Sequence, residues 1–111
     1  NKEAINNLDV SLKTIFKDKK IKVLFACMQD KPFNEMLASL SEITNDITLT
    51  TIDYHRALDI NSEELLFDLP RIKDPIEAFN KIYNLLDKDD VLVITGSLYF
   101  ASFMRNYLIK R

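Results

Sequence analysis

From about position 20 onward, short apolar runs alternate with longer stretches in which apolar residues recur every three or four places. Val91, Leu92, Val93 and Ile94 form an unbroken aliphatic run, too short for a helix and too apolar for a strand with one wet face. Such a run reads as a parallel strand covered by helices on both sides. Residues 21–27 (Ile-Lys-Val-Leu-Phe-Ala-Cys) read the same way, whereas 47–52 (Ile-Thr-Leu-Thr-Thr-Ile) alternate, which places that strand nearer a sheet edge. Helical spacing predicts a helix over 1–17, with Ile5, Leu8, Leu12 and Ile15 on one face. A second helix opens at Pro32 and carries Phe33, Met36, Leu37, Leu40 and Ile43 on one stripe. Asp74-Pro75-Ile76-Glu77 combines an N-cap acid, a proline at the first position and a glutamate at the third, and so opens another helix, with Phe79, Ile82 and Leu86 inward. Asn61-Ser62-Glu63-Glu64 has a capping-box spacing and predicts a short helix closed by Pro70, with a short strand over 69–72. The last helix runs from Ser97 to about Lys110. Strands alternating with helices give an α/β fold with a mostly parallel sheet. Such a domain usually opens on a strand, and this one opens on a helix; the expectation is that its first strand is missing.

Chemistry concentrates where the 91–94 run ends. Thr95, Gly96 (the one glycine in the chain) and Ser97 separate the strand from the final helix. Glycine permits the tight turn, and serine is a good N-cap. A strand entering a Gly-Ser corner and a helix N-terminus gathers amides, a hydroxyl and a positive dipole end at one point. In a parallel sheet, ligands bind outside the carboxyl ends of the strands. Asp30 and Lys31 follow the first strand, Asp53, His55 and Arg56 the second, and Thr95 and Ser97 the last. Lys31, Arg56 and Ser97 are therefore expected on one rim as a site for an anion such as a carboxylate. The opposing possibility is that Asp30 and Asp53 neutralise the two cations.

Composition narrows the class. The 111 residues suit one domain, and 47% hydrophobic with 29% charged residues is a globular balance. A net charge of −2 without a basic stripe argues against nucleic acid, and no apolar run approaches a membrane span. With a single cysteine there is no disulfide framework, and Cys27 reads as a small buried hydrophobe of a reduced, cytoplasmic protein. One glycine cannot build Gly-x-Gly-x-x-Gly, and a Walker A loop and Gly-x-Ser-x-Gly are absent. A lone histidine with scattered acids does not suggest a metal site. The final helix is apolar nearly all round, and Leu98, Tyr99, Phe103 and Tyr107 are expected to form an open patch on it.

Several segments together resemble a known family: Phe25-Ala26-Cys27-Met28-Gln29-Asp30-Lys31-Pro32, Arg56-Ala57 and, above all, Val93-Ile94-Thr95-Gly96-Ser97-Leu98-Tyr99. They are similar to the C-terminal domain of folylpolyglutamate synthase/dihydrofolate synthase, of the Mur ligase superfamily, and the similarity runs over essentially all of residues 1–111 as a single domain. The resemblance implies a Rossmann-like three-layer domain that follows an N-terminal ATPase domain carrying the P-loop and magnesium ligands. In that family a segment like Asp-Gly-Ala-His-Asn-Pro ends the first strand of the C-terminal domain. Asn1 resembles the Asn of that segment, with Lys2 where proline is usual, so the chain reads as a piece of a larger enzyme cut inside the junction.

The chemistry the resemblance implies is ligation. ATP phosphorylates the γ-carboxylate of a folyl-glutamate, and the amine of an incoming L-glutamate attacks the acyl phosphate. The C-terminal domain closes over the N-terminal one and helps hold the substrate. By position, Lys31 matches the lysine that pairs with the incoming amino acid's carboxylate, Thr95 and Ser97 match a hydroxyl cluster near it, and Arg56 is a lesser candidate. His55 stands where the family often has proline and receives no role. No catalytic base or metal ligand maps onto the chain, so ATP and Mg are expected to bind mainly outside it, and the fragment alone is expected to be inactive. The alternative reading is a stand-alone α/β interaction module without chemistry, which uses the final helix as its partner surface.

Overall fold

The computed structural model describes residues 16–110. The helix expected over 1–17 and the junction match at Asn1 fall on or largely within residues outside that range. Among the described residues there are three strands, β1 (Lys20–Ala26), β2 (Ile47–Leu49) and β3 (Asp90–Gly96), all parallel, in the spatial order β2-β1-β3. Three helices accompany them: α1 (Phe33–Ser41), α2 (Pro75–Tyr83) and α3 (Leu98–Lys110).

The strand that organises the layers is β1. Its side chains alternate between two cores. Val23, Phe25 and Cys27 enter the core built with Phe33, Met36, Leu37 and Leu40 of α1, while Leu24 and Ala26 enter the core built with Ala78, Phe79 and Ile82 of α2 and Phe100 and Met104 of α3. Register carries the same parity to the neighbours: Val23 lies opposite Ile47 and Val93, and Leu24 opposite Thr48 and Ile94. The result is an α/β/α sandwich, in which each large, fully buried aliphatic or aromatic side chain contributes roughly 1.5–3 kcal/mol. The run 91–94, read from sequence as buried on both faces, is half-buried throughout and flanks the described sheet on one side. Its apolarity reports helices above and below it and carries no information on which strand has a neighbour on each side.

At the other flank, β2 is shorter than its alternating pattern suggested, and its polar positions are not wet. Thr48 and Thr50 are buried, and the Thr50 hydroxyl donates to the Lys73 carbonyl at 3.3 Å. The segment expected as a strand over 69–72 covers this edge with one parallel bridge, Leu49 to Arg71, in which Leu49 N–H donates to Pro70 O and Ile72 N–H to Leu49 O. The helix expected over 61–70 does not form. The Ser62 hydroxyl accepts from Glu64 N–H, two residues on, as a local turn rather than an N-cap. Side chains from elsewhere also take this loop's backbone groups: Arg71 donates to the carbonyls of Ile60 and Phe67, and Asn34 bonds Glu64 O and Leu66 N–H. The other helix starts follow their sequence signals. Asp74 accepts from the amides of Ile76 and Glu77, and Ser97 accepts from Phe100 N–H at 3.0 Å. Pro32 precedes α1 at the cap position itself and supplies no side-chain bond.

The tightest point of the fold is the junction of β3 and α3. Gly96 has φ +129°, and a Cβ built there would lie 1.9 Å from the Ala26 carbonyl oxygen. That same oxygen accepts the Ser97 amide at 3.0 Å. Both the backbone conformation and the space thus demand glycine. Gly96→Ala is expected to cost at least about 3 kcal/mol, since relief requires backbone movement in the two paired strands. Urea unfolding of the two proteins measures it, and a loss below about 1 kcal/mol would show that the corner yields easily.

Candidate functional site

All three strands point their carboxyl ends at one edge, where the loop after β1 is tied to the loop after β2. Gln29 N–H donates to Arg56 O at 2.8 Å, Leu58 N–H donates to Cys27 O at 2.9 Å, and Met28 and Ala57 form an antiparallel bridge. These bonds bring Lys31 and Arg56 beside each other although their loops are 25 positions apart in sequence. The Gly96-Ser97 corner closes the third side. The resulting cleft, of about 540 Å³, is lined by Lys31, Arg56, Asp30, Gly96, Ser97, Leu98 and Tyr99, with Met28 and Met36 also in its wall. Lys31, Arg56 and Ser97 thus share one cleft. Thr95 is not among the lining residues; it pairs opposite Phe25 within β3.

The charges at the two edges of the sheet are handled differently. At the amino edge, Lys19 meets Asp89 at 3.4 Å and Lys22 meets Asp46 at 2.9 Å. The hydrogen bond from Lys22 to Asp46 pushes that ammonium's pKa up against the effect of burial. Among the described residues, neither Lys31 nor Arg56 has a carboxylate in ion-pair contact. Asp53, considered as a neutralising partner, lines a neighbouring hollow of about 660 Å³ together with Lys73, Asp74 and Glu77. That hollow is larger, but three carboxylates face one lysine there, and Asp74 already serves the amides of α2. The smaller cleft holds two cations to one acid, Asp30. By charge it is the better anion site.

An aromatic layer at the rim was not anticipated. Arg56 Nη2 donates to the Tyr54 hydroxyl at 3.1 Å, and its guanidinium carbon lies 5.7 Å from the Tyr54 ring centre. Tyr54 stacks on Tyr99, with centroids 4.9 Å apart and planes 21° apart, and the ring of the exposed His55 lies 4.7 Å from that of Tyr54, tilted against it. Hydrogen bonds from Arg56 and then from Tyr99 hold the Tyr54 phenol below its ordinary pKa, and the Arg56 pKa is raised in turn. The one sequence signal for this layer is a tyrosine two places before an arginine in a loop, a pattern too common to mark a site. Cys27 lies beneath the cleft, buried, with its thiol pushed up to about 12 by desolvation, and is no nucleophile. Among the described residues no group of three His, Cys, Asp or Glu side chains is placed to hold a metal ion, and no helix is long and apolar enough to cross a membrane.

Of the four residues expected to lie open on α3, Leu98, Tyr99 and Phe103 are exposed, Leu98 at 86%. Tyr107 packs edge-on against Phe79 instead, at 6.2 Å.

No protein-family model matches the chain. Over 97% of its length it is 30% identical to the dihydrofolate synthase/folylpolyglutamate synthase of Bacillus subtilis strain 168, of which it spans 26%. Its fold is similar to that of the bifunctional folylpolyglutamate synthase/dihydrofolate synthase of Yersinia pestis complexed with AMPPNP and Mn, with a TM-score of 0.87 and 21% identity over 97% of this chain and 26% of that one. A bifunctional folylpolyglutamate synthase/dihydrofolate synthase with Mn, AMPPNP and L-glutamate bound is similar at a TM-score of 0.84, with 21% identity over 97% of this chain and 27% of that one. The chain spans about a quarter of the length of the proteins it matches.

Ser97 serves the fold as well as the cleft, so its structural share is separable. Ser97→Ala should lower stability by about 1 kcal/mol through loss of the cap, and Ser97→Asp by much less, because aspartate also caps. Equal losses in urea midpoints for the two variants would show that the hydroxyl does not act as a cap.

Proposed function

Because the chain belongs to the folylpolyglutamate synthase/dihydrofolate synthase family as a C-terminal domain of that enzyme, we propose that residues 1–111 form the domain that caps the substrate of an ATP-dependent folate–glutamate ligase. In this reading the cleft receives the incoming L-glutamate. Lys31 and Arg56 meet its carboxylate, while the Ser97 hydroxyl and the first-turn amides of α3 supply oriented donors. The amine is thereby aimed at the acyl phosphate of a folyl-glutamate; a C–N bond forms there as the C–O bond to phosphate breaks. What this chain contributes is binding and orientation, which can account for a large part of such a rate.

Nucleotide and metal are assigned elsewhere in the polypeptide. The chain's one glycine is committed to its contact with Ala26, and among the described residues no group of three His, Cys, Asp or Glu side chains is placed to hold magnesium. Turnover of ATP is accordingly given to an N-terminal ATPase domain of the same protein, without which this domain is inactive, in the cytoplasm where folate and L-glutamate are its substrates. The exposed Leu98 and Phe103 suit this reading, since a companion domain closing over the cleft would cover them. They equally suit the second reading, a stand-alone interaction module, which gives the paired cations no task.

The observation that carries the proposal is that one cleft, beside a serine-capped helix start, is lined by two cations and one acid, with neither cation in ion-pair contact among the described residues. In the enzyme containing this domain, Lys31→Ala should raise the KM for L-glutamate about tenfold with kcat changed by less than about twofold. Stability should fall by no more than about 1 kcal/mol, because the residue is an exposed loop charge. An unchanged KM for L-glutamate would remove Lys31 from the substrate site.

A further inference from the structure

Arg56 lines the cleft, yet it is a long, exposed side chain on a loop, and among the described residues no carboxylate, Asp30 of the same cleft included, is in ion-pair contact with it to fix its direction. An arginine recognises a carboxylate well only when its planar fork is already oriented. We infer that Tyr54 is a positioning residue for Arg56: its hydroxyl, with its ring braced by stacking on Tyr99, holds the guanidinium at the rim and leaves the remaining N–H groups for the substrate carboxylate. This rests on the carboxylate-binding reading of the cleft.

The geometry supports the assignment from both sides. One of the five guanidinium N–H groups is used, in the 3.1 Å bond from Nη2 to the Tyr54 oxygen, and the ring lies within cation–π distance of the guanidinium. Tyr54 itself is held in place. Its amide donates to Ile52 O and its carbonyl accepts from Ala57 N–H, so the loop folds tightly around it. Tyr99 stands in the first turn of α3, whose start is fixed by Gly96 and Ser97. The stacked pair therefore joins the loop after β2 to the start of α3, across the end of β1 that separates them in the sheet. Together with the backbone bonds that tie the loop after β1 to the loop after β2, it connects all three segments that carry the candidate substrate contacts.

Steady-state kinetics with L-glutamate in the enzyme containing this domain, for Tyr54→Phe, Arg56→Ala and the double variant, tests the inference. Tyr54→Phe keeps the stacked ring and removes only the hydroxyl. It should raise the KM for L-glutamate about three- to fivefold at unchanged kcat, and Arg56→Ala about tenfold. In the Arg56→Ala background, Tyr54→Phe should add nothing, because it acts through Arg56. A KM unmoved by Tyr54→Phe, or moved by the same factor with and without Arg56, overturns the positioning role and leaves the carboxylate reading standing. A KM unmoved by Arg56→Ala overturns the carboxylate reading at Arg56. An independent NMR titration of the ζ-carbon of Tyr54 then reports on the contact itself. The phenol should titrate below an ordinary tyrosine and return toward it in Arg56→Ala; an ordinary midpoint in the unsubstituted enzyme overturns the Tyr54–Arg56 contact whatever the kinetics.

Discussion

Where β1 and β3 end together, the carbonyl oxygen of Ala26 leaves no room for a side chain at position 96, and the same oxygen takes the amide of Ser97. That close approach decides where α3 begins. It also decides which way the Ser97 hydroxyl and the first-turn residues Leu98 and Tyr99 stand relative to the loop after β1. A larger residue at 96 would force the two strand ends apart and move one wall of the cleft away from Lys31 and Arg56. The site is therefore set by backbone sterics before any charge is considered, which suits a domain whose proposed task is to orient a small substrate.

Charge distribution follows the direction of the strands. At the amino ends, lysines are paired with aspartates and add little beyond solubility and modest stabilisation. At the carboxyl ends, Lys31 has no such pair among the described residues and Arg56 bonds a tyrosine, a weaker partner that a carboxylate can join without displacing. The difference between the two edges separates a solvated surface from a surface left open to an anion. A neutral partner that directs a cation while leaving its charge unspent is a coherent arrangement for recognising one.

Much of this was legible in the sequence, for reasons that can be traced to particular residues. The apolar run within 21–27, which feeds a core on each face of the sheet, and the Asp74-Pro75 and Gly96-Ser97 signals act through burial, local sterics and capping, and each appears in the structure at the expected residues. Placement of Lys31, Arg56 and Ser97 on one rim followed from strand direction alone. What failed depended on long-range partners. The Ser62 spacing lost to Arg71 and Asn34, which take the backbone groups a helix would have used. The 91–94 run reads as buried on both faces but is half-buried throughout, because its apolarity reports layers above and below, and strand order is invisible to it. The alternation over 47–52 places that strand nearer a sheet edge, but it does not show that the 70–72 segment covers this edge and that Thr48 and Thr50 are buried. The Tyr54–Tyr99 stack joins residues 45 positions apart and left no periodic trace.

The central claim, that this carboxyl edge receives the carboxylate of the incoming amino acid, is tested most directly by a crystal structure of the whole enzyme with L-glutamate bound. The glutamate is expected in the cleft between the loop after β1 and the start of α3, with a carboxylate within hydrogen-bond distance of Lys31 Nζ and the Ser97 hydroxyl. Glutamate bound elsewhere, with Lys31 and Ser97 facing only solvent, would contradict it.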